Sequence, residues 1–359
     1  MKKTIITLLL FLLALAGCQP TDRKEEEIDL VAEETFDTQV EPLITSKQSF
    51  HFIVDWLSEE EIVYVELKDE LYHIVAYNIH TREFRTLYKE SSIVANVLIH
   101  PTKEYILLHT SEDDSSATVK MVDLEGHQVY ELNIESNELD IQWNDLDPRY
   151  LMLTAFHEDW TYDHYFYNAY ENDLSLMTLS YPFAKWLGEE EVVMFSNDAP
   201  ESLEGKRMEV LNVITKDVHM QKNHILYYDT YQDALLTMEK KNDTTALFKV
   251  MNDSLQTVIE WEAPLVSNYS EWVIPEVSWL SGRELITYIP HEGGLLDDLP
   301  NGFMLMKIGE HKEHIIDHQM NEALRCSPSK TMCLTGSSFT NIISIDTGQS
   351  FQWVLFEEE

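Results

Sequence analysis

The chain has 359 residues, with 25 Lys plus Arg set against 64 Asp plus Glu, a formal charge of −39 at pH 7. Phosphate backbones are held by clustered cations, so a nucleic-acid partner is excluded by composition. The acid is spread along the chain rather than blocked at one end, which reads as a solvated surface that repels anionic partners.

At the amino terminus Lys2 and Lys3 precede an almost wholly apolar run over 5–15, and Leu15-Ala16-Gly17-Cys18 follows at once. Charge, apolar core and small pair in that order predict a signal peptide over 1–17. The run falls short of the roughly 20 residues a membrane span requires. The segment resembles the lipobox of bacterial lipoproteins. That resemblance implies export, cleavage before Cys18, and a diacylglycerol on its thiol that holds the chain at the extracytoplasmic face of the cell membrane. Loss of Lys2 and Lys3 with the leader moves the formal charge from −39 to −41. Residues 18–47 carry Glu25, Glu26, Glu27, Asp29, Glu33, Glu34, Asp37 and Glu41 with few large apolar groups. Such a stretch buries too little to offset its chain entropy, so it is predicted to be an acidic flexible tether.

From 48 to 359 the sequence reads as short apolar runs between polar turns, with hardly any amphipathic helix, which predicts an all-β fold. One run type recurs at 62–67, 105–110, 150–155, 191–196, 234–239, 284–289 and 331–336. Each follows a similar corner: Asp55-Trp56-Leu57, Ile99-His100-Pro101, Gln142-Trp143-Asn144, Lys185-Trp186-Leu187, Asp229-Thr230-Tyr231, Ser278-Trp279-Leu280 and Cys326-Ser327-Pro328. With third and fourth runs in each unit and a period of roughly 40 to 50 residues, the expected architecture is a β-propeller of seven four-stranded blades. Trp56, Trp143, Trp186 and Trp279 recur at the repeat period and are predicted to wedge between blades.

His100-Pro101-Thr102-Lys103 and Ser327-Pro328-Ser329-Lys330 resemble degenerate Ser-Pro-Asp-Gly-Lys turns of TolB-like and WD40-like propellers. Signal, tether and propeller together are similar to the YqgU-like propeller lipoproteins of Gram-positive bacteria. That family is described as six-bladed, which makes six blades the alternative count. The resemblance supplies location and fold and implies nothing about activity.

No nucleophile elbow occurs; Gly336-Ser337-Ser338 lacks the second glycine. The connections between second and third strands fall on one face, and those at 111–118, 156–164, 197–207 and 290–302 exceed the minimum, so this face is the expected ligand site. Its densest cluster is His157, Glu158, Asp159, Trp160, Tyr162, Asp163 and His164. Imidazoles and carboxylates suit a divalent metal, but one strand-end segment rarely supplies a converging set, so no metal is expected. Aromatic faces beside carboxylates suit a sugar or peptide. Asp113, Asp114, His291, Asp297 and Asp298 stand on other long loops without a calcium-loop pattern. Tyr165, Phe166, Tyr167 and Tyr170 are predicted to pack within blades.

No catalytic constellation and no cofactor are predicted. The expected function is a membrane-anchored binding or scaffold module for a protein, peptide or glycan; the alternative is a hydrolase or lyase using the channel mouth. Cys326 and Cys333 flank the first turn of the last unit. A two-residue loop at Ser329-Lys330 sets them opposite one another, within disulfide reach. A three-residue loop slips the register and parts them.

Overall fold

The computed structural model describes residues 40–196, 203–318 and 320–357. The expected signal peptide, Cys18, most of the expected tether and 197–202 of one expected loop lie outside the described residues. Helix among the described residues is limited to one 3-10 turn, Leu296–Asp298.

Six antiparallel sheets follow one another along the chain. The first comprises Phe50–Trp56, Glu61–Lys68, Leu71–Asn78 and Phe84–Glu90; the second Ile93–Ile99, Tyr105–Asp113, Ser116–Asp123 and Gln128–Glu135; the third Glu138–Trp143, Tyr150–Phe156, Tyr162–Asn168 and Asp173–Met177. The fourth has seven strands: Lys185–Leu187, Glu191–Phe195, Lys206–Asn212, Val218–Tyr231, Ala234–Asn242, Thr245–Met251 and Thr257–Pro264. The fifth comprises Val277–Ser281, Glu284–Pro290, Phe303–Ile308 and Lys312–His318, and the sixth Leu324–Cys326, Met332–Thr335, Asn341–Ser344 and Ser350–Gln352.

The seven expected four-stranded units form six sheets, because the fourth and fifth sequence units share one strand. Val218–Tyr231 pairs backwards with Lys206–Asn212 over its first half and forwards with Ala234–Asn242 over its second. His224, at φ +63°, kinks the strand where the two pairings meet without ending it.

Burial follows the radial order. Ile62 to Val65 are buried on both faces in Glu61–Lys68, whereas Thr257–Pro264, a fourth strand, alternates exposed and buried. Second strands therefore read as continuous apolar runs, since neighbouring sheets cover both their faces. Each interface makes its own core: Val63, Ile74 and Leu87 meet Val94, Ile106 and Leu108 between the first two sheets, and Leu107 and Val119 meet Leu151 and Leu153 between the next two.

The recurring corners tie each sequence unit to the next and close the ring. Lys103 Nζ donates to Trp56 O at 2.8 Å, His100 Nε2 to Asn144 O at 2.9 Å, Trp186 Nε1 to Gln142 O at 3.0 Å and Gly188 N to Gln232 O at 2.7 Å. Trp279 Nε1 donates to Asp229 Oδ2 at 2.8 Å, Cys326 N to Ser278 Oγ at 3.3 Å, and Trp56 Nε1 to Arg325 O at 2.9 Å, joining the first unit to the last. Three of the four expected tryptophan wedges thus hydrogen-bond to a neighbouring unit. Trp143 reaches its neighbour by packing rather than by a hydrogen bond: it donates to Pro148 O in its own turn and lies edge-on against His100 of the preceding unit.

Closure is reinforced by Leu43–Thr45, which pairs parallel with Val354–Phe356. Residues before the expected tether boundary at 47 thus pack on the propeller: Leu43 is buried, Tyr77 donates its hydroxyl hydrogen to the carbonyls of Glu41 and Pro42, and Arg82 pairs with Glu41. In the last sheet Cys326 lies directly opposite Cys333, with Cα atoms 3.9 Å apart and the sulfurs joined. Lys330 N donates to Ser327 O across the turn, which keeps the register symmetric about Ser329-Lys330.

Candidate functional site

Antiparallel strands return every second connection to the same end, so the second-to-third connections share a face with those leading from each unit to the next. On the third sheet this face carries a five-residue loop between Phe156 and Tyr162. His157 N donates to Thr161 O and Trp160 N to His157 O, both at 2.9 Å. Asp159 Oδ1 accepts from Thr161 Oγ1 at 2.6 Å and Thr161 N at 3.0 Å, bonds that hold its carboxyl below the usual carboxylate range. His157 Nε2 stands 3.1 Å from Asp163 Oδ2. Within this brace Trp160 takes φ +65° and is 84% exposed, with Glu158 and Asp159 exposed beside it.

His164 belongs elsewhere. It is 3% exposed, inside the third strand of the sheet, with Tyr162 edge-on 5.1 Å away. Thr154 Oγ1 donates to Pro182 O and therefore accepts from His164 Nδ1 at 3.0 Å. This leaves Nε2 as a bare acceptor, buried and without a hydrogen-bond partner among the described residues. Burial pushes the imidazole below its ordinary value, against a smaller pull from Asp163.

The other expected ligands do not converge on it. The connection expected at 111–118 is a tight hairpin, because the strands run on to Asp113 and resume at Ser116. Asp113 Oδ1 accepts from Ser115 N, Ser115 Oγ and Ser116 Oγ, each at 2.9 Å, and Asp114 O accepts from Asn137 Nδ2. His291 Nε2 lies 3.1 Å and His314 Nε2 3.0 Å from Asp317 Oδ1. Asp297 Oδ2 accepts from Tyr269 OH at 3.3 Å, and Asp298 closes the 3-10 turn. The loop holding these residues pairs through Gly294–Leu295 with Val266–Asn268. Among the described residues no group of three or more His, Cys, Asp or Glu is placed to hold a metal ion. Tyr167 is buried as expected of blade packing, but Tyr170 is exposed, under the guanidinium of Arg149 at 3.4 Å.

Two features escaped the sequence. An unbroken series of ring contacts crosses from the third sheet to the fourth on this face: Phe156 meets Phe183 at 5.6 Å, Phe183 meets Tyr181 at 5.8 Å, Tyr181 meets Phe195 at 5.4 Å and Phe195 meets Tyr228 at 4.8 Å. The signal was Tyr181-Pro182-Phe183, two rings about a proline between strands. Around the ring axis, the first strands and the residues beside them carry carboxyls partly withdrawn from solvent. Burial raises Asp55 against the pull of Lys103 and Arg325, raises Asp140 and Asp145, and with the nearby Asp229 raises Glu276. Lys185 pairs with Asp229 there.

Antiparallel sheets set in sequence around an axis, with neighbouring units bonded at every corner and the last tied to the first, define a β-propeller. The chain belongs to the YqgU-like family: residues 78–336 match the YqgU-like 6-bladed β-propeller domain. Along its length it is similar to the uncharacterized lipoprotein YqgU of Bacillus subtilis, with 23% identity over 356 residues, 99% of this chain and 97% of the relative. An uncharacterized protein of Listeria monocytogenes has the same fold, with TM-score 0.81, 19% identity, and 89% of this chain and 99% of that one covered. The β-propeller domain of the trilobed protease from Pyrococcus furiosus is a more distant likeness, with TM-score 0.56, 11% identity, and 86% and 97% covered. The six-bladed description agrees with the alternative count, whereas seven sequence units are bonded around the ring here, two of them joined in the seven-stranded sheet.

Proposed function

We propose that this protein is a lipid-anchored extracytoplasmic module whose propeller presents its long-loop face to a protein, peptide or glycan. One observation carries the reading: the Trp160 indole is held out in solvent, 84% exposed, by a braced loop in a left-handed backbone conformation that a bulky side chain rarely adopts. A conformation that costs energy and exposes apolar surface makes physical sense where a ligand covers the ring. Phe183 and Tyr269, 50% and 70% exposed, belong to the same face and extend the apolar surface. His157 and His291 face carboxylates, and Asp113 and Asp159 accept from turn donors, which favours binding over catalysis. The lipoprotein name of the Bacillus subtilis relative and the Leu15-Ala16-Gly17-Cys18 segment support the anchor.

Two measurements test this reading. Detergent phase partitioning of the full chain from a lipoprotein-processing host should move Cys18→Ser to the aqueous phase; equal retention by the variant places the anchor elsewhere. A panel of extracytoplasmic polysaccharides and peptides should yield a ligand whose affinity falls by about tenfold in Trp160→Ala, the loss of one stacking contact. If every retained ligand binds wild type and variant alike, the long-loop face is not the site.

A further inference from the structure

On the opposite face the first corners open onto a cavity of about 410 Å³ at the ring axis. Four charged residues line it, Asp55, Lys103, Arg325 and Lys330, three cations to one acid in a chain with 25 cations to 64 acids. The inversion is local and has a backbone cause. In the turns His100-Pro101-Thr102-Lys103 and Ser327-Pro328-Ser329-Lys330, each lysine N–H donates to the carbonyl three residues back. Both lysines stand in the left-handed region, at φ +60° and +65°. Glycine would relax that position; lysine is strained there, and its side chain lines the cavity.

The donors are incompletely used. Lys103 Nζ gives one hydrogen bond, to Trp56 O, and Lys330 Nζ stands 3.7 Å from Glu284 Oε2. The Arg325 guanidinium lies over the Phe339 ring at 4.4 Å and makes no side-chain hydrogen bond among the described residues, leaving its planar fork for an oxyanion. The apolar wall opposite is the stacked pair Tyr231 and Trp279, with centroids 5.9 Å apart and planes at 16°. The volume suits a small molecule and excludes a folded partner.

We infer that this mouth binds a small organic anion, which offers a carboxylate or phosphate to Arg325, Lys103 and Lys330 and lays a planar apolar body against Trp279 and Tyr231. Asp55, which lines the same cavity, limits the charge the site accepts. The Trp160 loop takes no part, so the two sites fail independently.

Calorimetric titration of the full chain with benzoate, phenyl phosphate and the neutral benzyl alcohol tests this site. We expect saturable binding of at least one anion, the tighter of the two naming the head group, and at least tenfold weaker binding of the alcohol. Arg325→Met, with an unchanged circular dichroism spectrum, should weaken the anion by about tenfold. Lys330→Gly carries the sharper signature: it relieves the turn, so it melts at or above the wild-type temperature while binding the anion several-fold more weakly. The inference is overturned if benzyl alcohol binds as tightly as the anions, if neither anion saturates below about 10 mM, or if Lys330→Gly binds like wild type.

Discussion

Trp56 is the residue on which ring closure is most directly tested. Its side chain is fully buried and its indole N–H donates to Arg325 O across 269 residues of sequence. A buried indole removes some 150 to 250 Å² from water, worth about 4 to 6 kcal/mol at roughly 25 cal/mol per Å². Trp56→Ala should therefore cost about 4 kcal/mol after partial collapse of the cavity. Trp56→Phe keeps most of the apolar contact and orphans the carbonyl, costing about 1 to 3 kcal/mol. Urea unfolding followed by far-ultraviolet circular dichroism reads both, with Trp160→Ala as a surface control expected within about 0.5 kcal/mol of wild type. A loss below about 1 kcal/mol for Trp56→Ala would show that the first and last units are held together by other contacts, and the account of closure would be wrong.

Other outcomes follow from single residues. Burial lowers the His164 imidazole below its unfolded value, so its share of stability is present above about pH 6.5 and lost as pH falls toward the folded value. His164→Phe should therefore flatten the fall in melting temperature between pH 7 and 5.5; an unchanged slope would place the titration elsewhere. Peptide mapping under non-reducing conditions should recover Cys326 linked to Cys333, and Cys333→Ser should cost no more than about 2 kcal/mol, because the closed loop is short; two freely alkylated thiols would contradict the bond. Gly205→Ala should destabilise by more than about 1 kcal/mol in urea, since φ is +86° and a Cβ would stand 2.7 Å from the His224 carbonyl carbon; a neutral result would mean that the segment shifts freely.

The architecture was legible because a propeller repeats its instructions. Apolar second strands such as Glu61–Lys68, covered on both faces, and a tryptophan or histidine at five of the seven first corners are periodic signals that survive the loss of family glycines. The fusion in the fourth sheet was not legible: 218–231 contains neither Gly nor Pro, and the break in pairing rests on one left-handed histidine. Nor was the hairpin at Asp113, where Asp-Asp-Ser-Ser looks like a polar loop although the strand pairing continues to Ser116. Of the candidate face, the exposed Trp160 loop was visible as composition. The inward turn of His164 was not, because strand phase rather than residue type decides which of two neighbouring imidazoles meets water. The lysines of the lower mouth read as parts of degenerate Ser-Pro-Asp-Gly-Lys turns; their scarcity in so acidic a chain was the signal available.

The parallel pairing of Leu43–Thr45 with Val354–Phe356 bears on how the molecule takes a load. Parallel strands enter and leave at opposite ends, so a pull on the segment before Leu43 slides this pair lengthwise against the seam rather than peeling it bond by bond, and every backbone hydrogen bond across it must yield together. A reporter fused beyond the last residue departs from the end of the seam opposite the tether's entry. Joining the two ends into a permuted chain requires a linker that runs back along the three paired residues, roughly 10 Å, rather than a tight turn.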